Sequence, residues 1–508
     1  MSEGTEGEKP NKNPTAFLLH EDSRLIDSKA AKVLAKKLDG KLAFDSESKS
    51  WLRWDGSRWK VTQDTDKTIS LVAEFVDEGC GAKGYQQRYL NAIVRQMQLT
   101  GVLKRPPKPK NVVPFKNGLL DISTGELKPA TPERSTDWIL PHDYDETAEC
   151  ANIKSWLLNA VDKDQDTFNL LRAWLAALVR GLPLQCILML IGRGGSGKGV
   201  FQRLAVETIG EANTATSTLS NLENNRFETA KHHGKSLALI NEAGRFGGQL
   251  NMLKAMTGRD HIPLEIKHQQ QNGSFVYGGL FLLATNDDIA SSDSGIERRR
   301  VAVRFSKIVS MDERRDWQKR GGEESILHTE IPGLIRWLLQ MPVHDIHQAF
   351  EKLPERVVEE NLLGMRAGSS VADWMITECF LDPEVENQMG QFKAGEESSD
   401  YLYPAYRIWC EQNGRRHVAS NRFKSELFEV ALKLDHQLID KQDSTTRRTI
   451  IYGICLNSAK SLFPHVPSVP STASNSKASE GIEGTTRNKV SADNSDWLAD
   501  YDRTASNL

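Results

Sequence analysis

The 508-residue sequence is poor in cysteine and carries little net charge. Its six cysteines stand apart, without a CxxC pair or histidines at metal-ligand spacing, at positions 80, 150, 186, 379, 410 and 455. This pattern indicates unpaired thiols in a reducing compartment rather than a disulfide framework or a zinc site. The formal net charge of −3 excludes a global basic field, so any contact with a polyanion must come from local patches.

Long apolar runs are also missing. No stretch approaches the ~18 apolar residues that a membrane span needs. The first residues, MSEGTEGEKPNKNP, lack the apolar core of a signal peptide. We therefore expect a cytoplasmic protein with no membrane partner.

Composition and pattern predict six regions along the chain. We expect a disordered start at 1–15, a mixed α+β N-terminal region at 16–150, an α/β core at 151–310, a helical connector at 311–364, a C-terminal winged helix at 365–460 and a disordered tail at 461–508. Ser, Pro, Asn and Gly are abundant in the tail, which therefore lacks the apolar surface needed to fold. In the N-terminal region, WLRWDGSRWKV (51–61) predicts two strands joined by an Asp-Gly turn.

Helical and strand patterns alternate in the α/β core. The stretch DTFNLLRAWLAALVRG predicts a helix that is capped by Asp166 and ended by Gly181. Three apolar runs have the length of buried strands: 185–192, 236–243 and 278–287. Strands that alternate with helices predict an α/β fold with a parallel sheet.

A glycine-rich stretch, IGRGGSGKGVF, follows the first of these strands and matches the phosphate-loop pattern GxxxxGK[ST] except at its last position. In such a loop the glycines let backbone N–H groups face phosphate oxygens, and the lysine reaches the terminal phosphates. The N-terminus of the following helix adds favourable dipole charge. Gly199 stands where a Ser or Thr hydroxyl usually holds magnesium. The candidate nucleotide-binding residues are Gly192, Gly194, Gly195, Ser196, Gly197, Lys198, Gly199 and Val200.

Polar residues follow the next two strands. Glu242 stands where a Walker B carboxylate would polarise the attacking water and help to hold magnesium, and Asn241 stands where Asp is common. Asn286 is the candidate to contact the γ-phosphate after the third strand. In IERRRVAVRF, any one of three successive arginines (298–300) is a candidate to stabilise charge on the transferred phosphoryl group. With Lys198, these residues predict a catalytic set that uses ATP and Mg²⁺, with Glu242 and Asn241 at the metal.

The order and spacing of these motifs resemble a superfamily 3 helicase, the small AAA+ type of viruses, phages and plasmids. Lys198 and Glu242 are 44 positions apart, as are Glu242 and Asn286, so the catalytic parts fit within a short, three-strand core. The stretch LKAMTGRDHIPLEIKHQQQNGSFVYGG is similar to the family's additional motif. The matching residues are Lys254, Thr257, Gly258, Asp260 and Lys267, with a hairpin near 268–274. RRRVAVRF is similar to the family's signature of an arginine pair followed by Phe, which places Arg298 and Arg299 in register as the candidate arginines.

Flanking segments extend the resemblance to roughly residues 40–456. WLRWDGSRWKV and FKNGLLDISTGEL resemble the N-terminal region of the phage/plasmid primase family, which is related to the poxvirus primase-helicase. The segment SDYLYPAYRIWCEQNG resembles the start of that family's C-terminal winged helix.

The resemblance implies a fold, a mode of action and partners. It implies an AAA+-like P-loop core, assembly into a ring, with a homo-hexamer expected, and 3′-to-5′ travel on single-stranded or forked DNA. The DNA-gripping residues in this chain would be Lys254, Lys267 and His268. A separate primase or polymerase on another chain and a bacterial or viral-host cytosol are also implied.

Basic residues are concentrated in 401–460, which carries ten Lys and Arg against six Asp and Glu. A helix at 401–414, a basic turn, a helix at 420–434 capped by Ser420 and a strand at 447–456 predict a winged helix. The residues expected to meet duplex phosphates are Arg415, Arg416, Arg422, Lys424, Arg447 and Arg448. The alternative for such a charge run is a solvated helical surface.

The leading prediction is an ATP-dependent, ring-forming DNA helicase for replication of a phage, plasmid or related mobile element. Gly199 and Asn241 keep a second function open, a DNA-binding replication initiator or loader that binds nucleotide but hydrolyses it weakly or not at all. A P-loop kinase of small molecules is a third alternative. It would need a lid and an acceptor pocket, and it leaves the additional motif and the winged helix unexplained.

Overall fold

The computed structural model describes residues 17–20, 23–62, 65–100, 103, 106–107, 109–241, 249–265, 273–286, 294–392 and 399–458. The segments predicted to be disordered, 1–15 and 461–508, lie outside these ranges. The chain divides into two compact units, the first comprising Met1–Ile346 and Pro354–Gly368, the second His347–Leu353 and Ser369–Leu508. Among the described residues, the helices are too short or too polar to cross a membrane.

The N-terminal part of the first unit combines helices with small antiparallel sheets. Its strands are β1 (Leu19–His20), β2 (Ser23–Arg24), β3 (Leu42–Asp45), β4 (Ser50–Trp54), β5 (Trp59–Thr62), β6 (Val112–Phe115), β7 (Gly118–Asp121) and β8 (Leu127–Lys128). Its helices are α1 (Asp27–Leu38), α2 (Thr65–Cys80) and α3 (Gln87–Thr100). The hairpin predicted at 51–61 is present, because β4 pairs with β5 and the rings of Trp54 and Trp59 lie 5.8 Å apart.

One apolar core holds this N-terminal part together. Buried side chains on α1 recur at helical spacing, so that one face of the helix is apolar. This face packs with Val76 of α2, Ile93 of α3 and Trp51 of β4, all of which are buried. The helices therefore pack against the same small sheet that carries the tryptophan hairpin.

The remainder of the first unit alternates strands and helices. Its strands are β9 (Ile187–Ile191), β10 (Thr214–Ser217), β11 (Leu237–Ile240), β12 (His261–Leu264), β13 (Gly273–Val276), β14 (Leu280–Thr285) and β15 (Arg300–Arg304). Its helices are α4 (Ala151–Ala160), α5 (Gln165–Arg180), α6 (Lys198–Ile209), α7 (Leu219–Asn224), α8 (Asn251–Thr257), α9 (Ser294–Glu297), α10 (Met311–Lys319), α11 (Glu323–Thr329), α12 (Ile331–Leu339), α13 (Val343–Glu351) and α14 (Glu355–Gly368). The division between the two units falls within α13.

Five strands form a parallel sheet in the order β10-β11-β14-β9-β15. The α/β class with a parallel sheet is therefore confirmed. The three predicted strands are β9, β11 and β14, which lie next to one another, and β10 and β15 complete the sheet on its two edges. The central strands are buried along their whole length, as strands covered on both faces must be.

The predicted helix at 166–181 is α5, with one correction at its start. The capping residue is Asp164 rather than Asp166, because the Asp164 carboxylate accepts the N–H of Thr167 at 3.0 Å. At the other end, Gly181 adopts the left-handed conformation that terminates the helix, as predicted.

From Ser369 on, the described part of the second unit contains a three-stranded antiparallel sheet and three helices. Its elements are α15 (Ser370–Glu378), β16 (Cys379–Gln388), α16 (Leu402–Gln412), α17 (Ser420–Lys433), β17 (Ile439–Gln442) and β18 (Thr449–Leu456), with the sheet order β16-β18-β17. Stacked rings of Tyr406 and Phe423, 4.6 Å apart, join α16 to α17 in its core.

The two helices and the strand predicted in this unit are present, as α16, α17 and β18. The predicted Ser420 cap was wrong: Ala419 occupies the N-cap position of α17, and no side chain caps it. Strands β16 and β17 were not predicted. They pair with β18 on either side, so the isolated predicted strand is the centre of a sheet.

Candidate functional site

The glycine-rich stretch forms the connection between β9 and α6. Gly195 and Gly197 have φ angles of 81° and 96°, a left-handed backbone that disfavours side chains with a Cβ. Gly192 lies so close to the carbonyl oxygen of Phe305 that a Cβ could not be accommodated. The glycines at these three positions therefore let the loop turn tightly, and Lys198 is placed at the first residue of α6.

Lys198 is a buried cation whose amino group folds over the loop. The side chain is 8% exposed, and Nζ donates hydrogen bonds to the carbonyl oxygens of Gly192 and Arg193. A third bond, 3.2 Å long, goes to Oδ1 of Asn286. Each bond of this ammonium within the described site is to a neutral oxygen, so its charge is not neutralised there.

Burial lowers the pKa of Lys198 below the ordinary lysine value. Desolvation is the cause, since removing an ammonium from water disfavours its charged form. An anion placed beside Nζ would reverse this effect. The site is thus electrostatically suited to a polyanionic ligand.

The strand order explains why Lys198 reaches Asn286. Strand β14 lies directly beside β9, with Thr285 opposite Ile191. The carboxyl ends of parallel strands meet at one edge of a sheet, so Asn286 and the loop are neighbours. Asn241 follows β11, one strand further away, and is exposed at the same edge. Glu242 lies outside the described residues.

Gly199 lies in the first turn of α6 and does not have a left-handed backbone. A Cβ at this position would lie 3.2 Å from Nη1 of Arg203. Arg203 also pairs with Glu324 of α11. A guanidinium therefore lies close to the place where the usual hydroxyl side chain would stand. Gly194 is exposed, and Val200 is half-buried on α6.

The arginines near 300 occupy different environments. Arg298 is exposed, and its side chain makes no hydrogen bond or ion pair with a residue that the structure describes. Arg299 donates from Nη1 to the carbonyl of Gly295 at 2.8 Å, and its Nη2 lies near Gly258. Arg300 is buried against Gly364 of α14. Of the two candidates, Arg298 is available to a second molecule and Arg299 is bound within its own chain.

The residues of the additional motif precede a β-hairpin. Lys254 and Thr257 lie on α8, and β12 pairs antiparallel with β13. The strands 261–264 and 273–276 form an antiparallel pair on either side of the predicted hairpin near 268–274, of which residues 268–272 lie outside the described residues. Lys267 and His268 lie outside the described residues.

The turn Asp45–Lys49 contacts this hairpin. Glu47 lies 3.2 Å from Nδ1 of His261, and its carbonyl accepts the N–H of Ser274 at 3.4 Å. The N-terminal part of the unit thus holds both strands of the hairpin at its described end.

Basic residues of the second unit fall into two groups. Three have acidic partners: Arg415 with Asp373, Arg422 with Glu426 and Lys424 with Asp440, at 2.9, 2.7 and 2.6 Å. Arg448 donates to Gln388 and Tyr401. The side chains of Arg416 and Arg447 are exposed and form no hydrogen bond or ion pair within the described part of the chain. Of the six candidates, these two carry the charge that is most available to a partner.

Sequence reasoning missed Arg314 of α10. Its Nη2 lies 2.9 Å from the position that a Cβ would take on Gly195, so a second cation stands over the glycine loop. The capping box formed by Ser310 and Glu313 could have located the start of α10 in the sequence. Nothing in the pattern indicated that the helix would return to the loop.

Ser196 was among the predicted nucleotide-binding residues, and the structure adds an observation about its hydroxyl. This residue is 3% exposed, and its Oγ has no hydrogen-bond partner among the described residues. A buried polar atom without a partner is costly, which indicates a ligand or water in the functional state.

The described residues contain no group of three or more His, Cys, Asp or Glu positioned to hold a metal ion. Asn241 can offer only a neutral amide oxygen. Magnesium commonly uses one or two carboxylates together with substrate phosphates and water. Among the predicted metal ligands the structure therefore describes one neutral oxygen donor, Asn241, because Glu242 lies outside the described residues.

Two family models match this chain. Residues 31–162 match the family described as D5 N terminal like. Residues 190–300, which include the glycine loop and Asn286, match a family of unknown function, DUF5906. The first match supports a relationship with phage-type primase-helicases.

Solved structures give weaker similarities. The A-form apo structure of the NrS-1 C-terminal region has a TM-score of 0.48 and 14% identity, covering 83% of this chain and 98% of that one. Another apo structure of the same region has a TM-score of 0.40 and 13% identity, covering 85% and 100%. At scores this low, the similarities carry no conclusion about fold or function.

Proposed function

We propose that this protein is an ATP-driven DNA helicase of the phage-type primase-helicase family, active as a ring. The observation that carries the proposal is the buried Lys198 ammonium, which contacts the glycine loop and Asn286 at the carboxyl edge of the parallel sheet. A cation, a glycine loop with backbone N–H groups and a polar side chain therefore lie together. P-loop proteins bind a triphosphate with this arrangement.

Each residue of the site has a separate task in this proposal. Backbone N–H groups of Gly192–Lys198 and the start of α6 bind phosphate oxygens. Lys198 exchanges its carbonyl partners for the terminal phosphates, and Arg314 adds a second positive charge. Asn286 orients Lys198 and detects the γ-phosphate. Magnesium, held by the phosphates with Asn241 and Glu242, would neutralise charge on the transferred group.

Ring assembly supplies the last catalytic group. An exposed arginine that stabilises charge in a neighbouring site accelerates phosphoryl transfer by about 10³–10⁵-fold in the enzymes where it was measured. Arg298 suits this role because it is exposed and unpaired among the described residues, whereas Arg299 bonds to Gly295. Lys254, Lys267 and His268 would grip single-stranded DNA around the β12–β13 hairpin.

The second unit is proposed to bind duplex DNA as a winged helix. Its element order, with α16 and α17 followed by the β17–β18 hairpin, supports this assignment. Arg416 lies in the turn between the helices, and Arg447 lies in the hairpin turn. Both would contact phosphates and would position the motor without reading sequence.

Strand separation with matched variants tests the proposal. Forked DNA, ATP and magnesium are incubated with the wild type, with Lys198→Ala and with Lys36→Ala, an exposed lysine on α1. We expect unwinding by the wild type and Lys36→Ala, and its loss in Lys198→Ala. Equal unwinding by all three proteins, or none by any, would contradict the proposal.

One observation favours a second function. Nη1 of Arg203 lies 3.2 Å from the Cβ position of Gly199, close to where the metal-binding hydroxyl of a Ser or Thr would stand. A cation there opposes a magnesium ion, which favours an initiator or loader that binds nucleotide with little hydrolysis. This alternative predicts nucleotide-dependent assembly on DNA, with hydrolysis that single-stranded DNA does not stimulate.

A further inference from the structure

A cleft opens beside the glycine loop, between α4 and the segment that contains α10 and the start of α11. It has a free volume of about 120 Å³ and is bordered on the loop side by Ser196 and Gly197. Cavities of this size can accept a small aromatic ring. The cleft is therefore large enough for part of a nucleotide, and it lies directly next to the proposed phosphate site.

The cleft and the loop differ in their balance of positive and negative charge. The cleft is lined by two cations, Lys307 and Arg320, and by two carboxylates, Glu313 and Glu323. Lys307 pairs with Glu313 at 2.7 Å, so the positive charge on this side is compensated. The loop, by contrast, has Lys198 and the nearby Arg314. Phosphates are thus favoured at the loop, and a neutral group is favoured in the cleft.

Two tryptophans give the cleft its apolar surface. Trp156 of α4 packs at 3.4 Å from the Cβ position of Gly197 and donates from Nε1 to Glu323. Trp317 of α10 is half-buried, and the Arg320 guanidinium lies 4.8 Å from the centre of its ring. Flat aromatic walls next to amide and carboxylate groups are suited to a heterocyclic base.

The Ser196 hydroxyl lies where cleft and loop meet. It is nine-tenths buried or more and without a partner in the described residues, although it borders the open cleft. A ligand that extends from the loop into the cleft would pass this hydroxyl and could satisfy it. This orphaned atom is an observation independent of the aromatic walls.

We propose that this cleft binds the base and sugar of a nucleoside triphosphate whose phosphates lie on the Gly192–Lys198 loop. The inference rests on the proposed nucleotide-binding function and adds that α4 and α10 recognise the nucleoside part. Trp317 stacks with the base, and Ser196 hydrogen-bonds the ligand between base and terminal phosphates. The bound nucleoside then contacts both α4, which precedes the parallel sheet in the chain, and α10, which follows it.

Calorimetric titration can separate the contribution of the nucleoside from that of the phosphates. ATP and inorganic tripolyphosphate are titrated in the presence of magnesium, under conditions that prevent turnover. Trp317→Ala is compared with the wild type and with Trp409→Ala, a tryptophan of the second unit outside the cleft. We expect the wild type and Trp409→Ala to prefer ATP over tripolyphosphate by about 10- to 100-fold, the range for stacking of one base. Trp317→Ala should lose most of this preference while it binds tripolyphosphate normally, which also shows that its loop is folded.

The outcomes are distinguishable. Equal affinity of the wild type for ATP and tripolyphosphate, or an unchanged preference in Trp317→Ala, would overturn the inference and leave the phosphate site intact. A wild-type protein that binds neither ligand would instead overturn the proposed function.

Discussion

The Nζ atom of Lys198 lies 3.2 Å from Oδ1 of Asn286, although the two residues belong to different strand ends of the sheet. Both were candidate catalytic residues from the sequence. Their contact joins the loop after β9 to the end of β14. It gives Asn286 a defined partner, and in the proposed function a ligand at the loop would be detected through this contact.

Replacing Asn286 with Ala should separate binding from hydrolysis. Lys198 retains its two carbonyl partners in the variant, so the loop stays folded. We expect ATP affinity to change by less than about threefold and hydrolysis to fall by about 10²-fold, as for loss of one preorganised polar group. ATP titration and steady-state hydrolysis measure the two effects. Asn169→Ala, an exposed asparagine on α5, is the control and should change neither.

Arg298 should act on the site of a neighbouring subunit. Arg298→Ala should keep nucleotide binding and lose about 10³-fold or more of the hydrolysis rate. Mixing it with Lys198→Ala should restore measurable hydrolysis, because each variant supplies what the other lacks at a shared interface. No recovery on mixing, with both variants shown to assemble together, would contradict an action between subunits.

Gly199 should tolerate serine. Its backbone is not left-handed, and the nearest atom to a new Cβ, at 3.2 Å, is the end of the flexible Arg203 side chain. We expect Gly199→Ser to bind nucleotide normally and to reach half-maximal hydrolysis at a lower magnesium concentration. Hydrolysis measured across a magnesium titration tests this. Loss of nucleotide binding would show instead that the loop requires glycine here.

As the pH rises, nucleotide affinity should begin to fall at a lower pH than it would if Lys198 had an ordinary lysine pKa. Burial lowers the pKa of Lys198 in the free protein, and phosphate binding requires the charged form. Affinity is therefore full below this lowered pKa and declines as the pH rises through it, up to the higher pKa that Lys198 has beside bound phosphates. Titration of affinity against pH in the wild type and Lys198→Arg checks the cause. Arginine stays protonated, so its curve should lack this decline.

Arg416 and Arg447 should contribute more to duplex binding than the paired basic residues. Replacing both with Ala should weaken binding to any duplex sequence and reduce the slope of log affinity against log salt by about 2. The double variant Arg415→Ala/Arg422→Ala is the matched control, since Arg415 already pairs with Asp373 at 2.9 Å and Arg422 with Glu426 at 2.7 Å. Its effect on the salt slope should be smaller. An equal effect of the two double variants would argue for a different DNA-binding surface.

Local patterns predicted the parts that depend on neighbouring residues. The strand, glycine loop and helix around Lys198, and the hairpin at Trp54 and Trp59, follow from apolar runs, turn residues and helix signals. The position of Asp164 as cap was missed by two residues, because Asp164 and Asp166 both carry a suitable carboxylate.

Long-range relationships were beyond the reach of those patterns. The sequence did not predict that β14 inserts beside β9, which decides that Asn286 rather than Asn241 contacts Lys198. It likewise did not predict the return of Arg314 to the loop. Such contacts depend on how distant elements pack together. A basic residue on a polar helix, such as Arg314 on α10, therefore has no feature in its local sequence that identifies its partner.

ATP hydrolysis measured with and without single-stranded DNA, with particle mass determined in the same buffer, tests the central claim most directly. We expect hydrolysis that single-stranded DNA stimulates, by a particle several times heavier than the 56.9 kDa chain, and no hydrolysis by Lys198→Ala. Hydrolysis that Lys198→Ala retains, or a monomer whose activity single-stranded DNA does not change, would contradict the assignment as a ring-forming DNA motor.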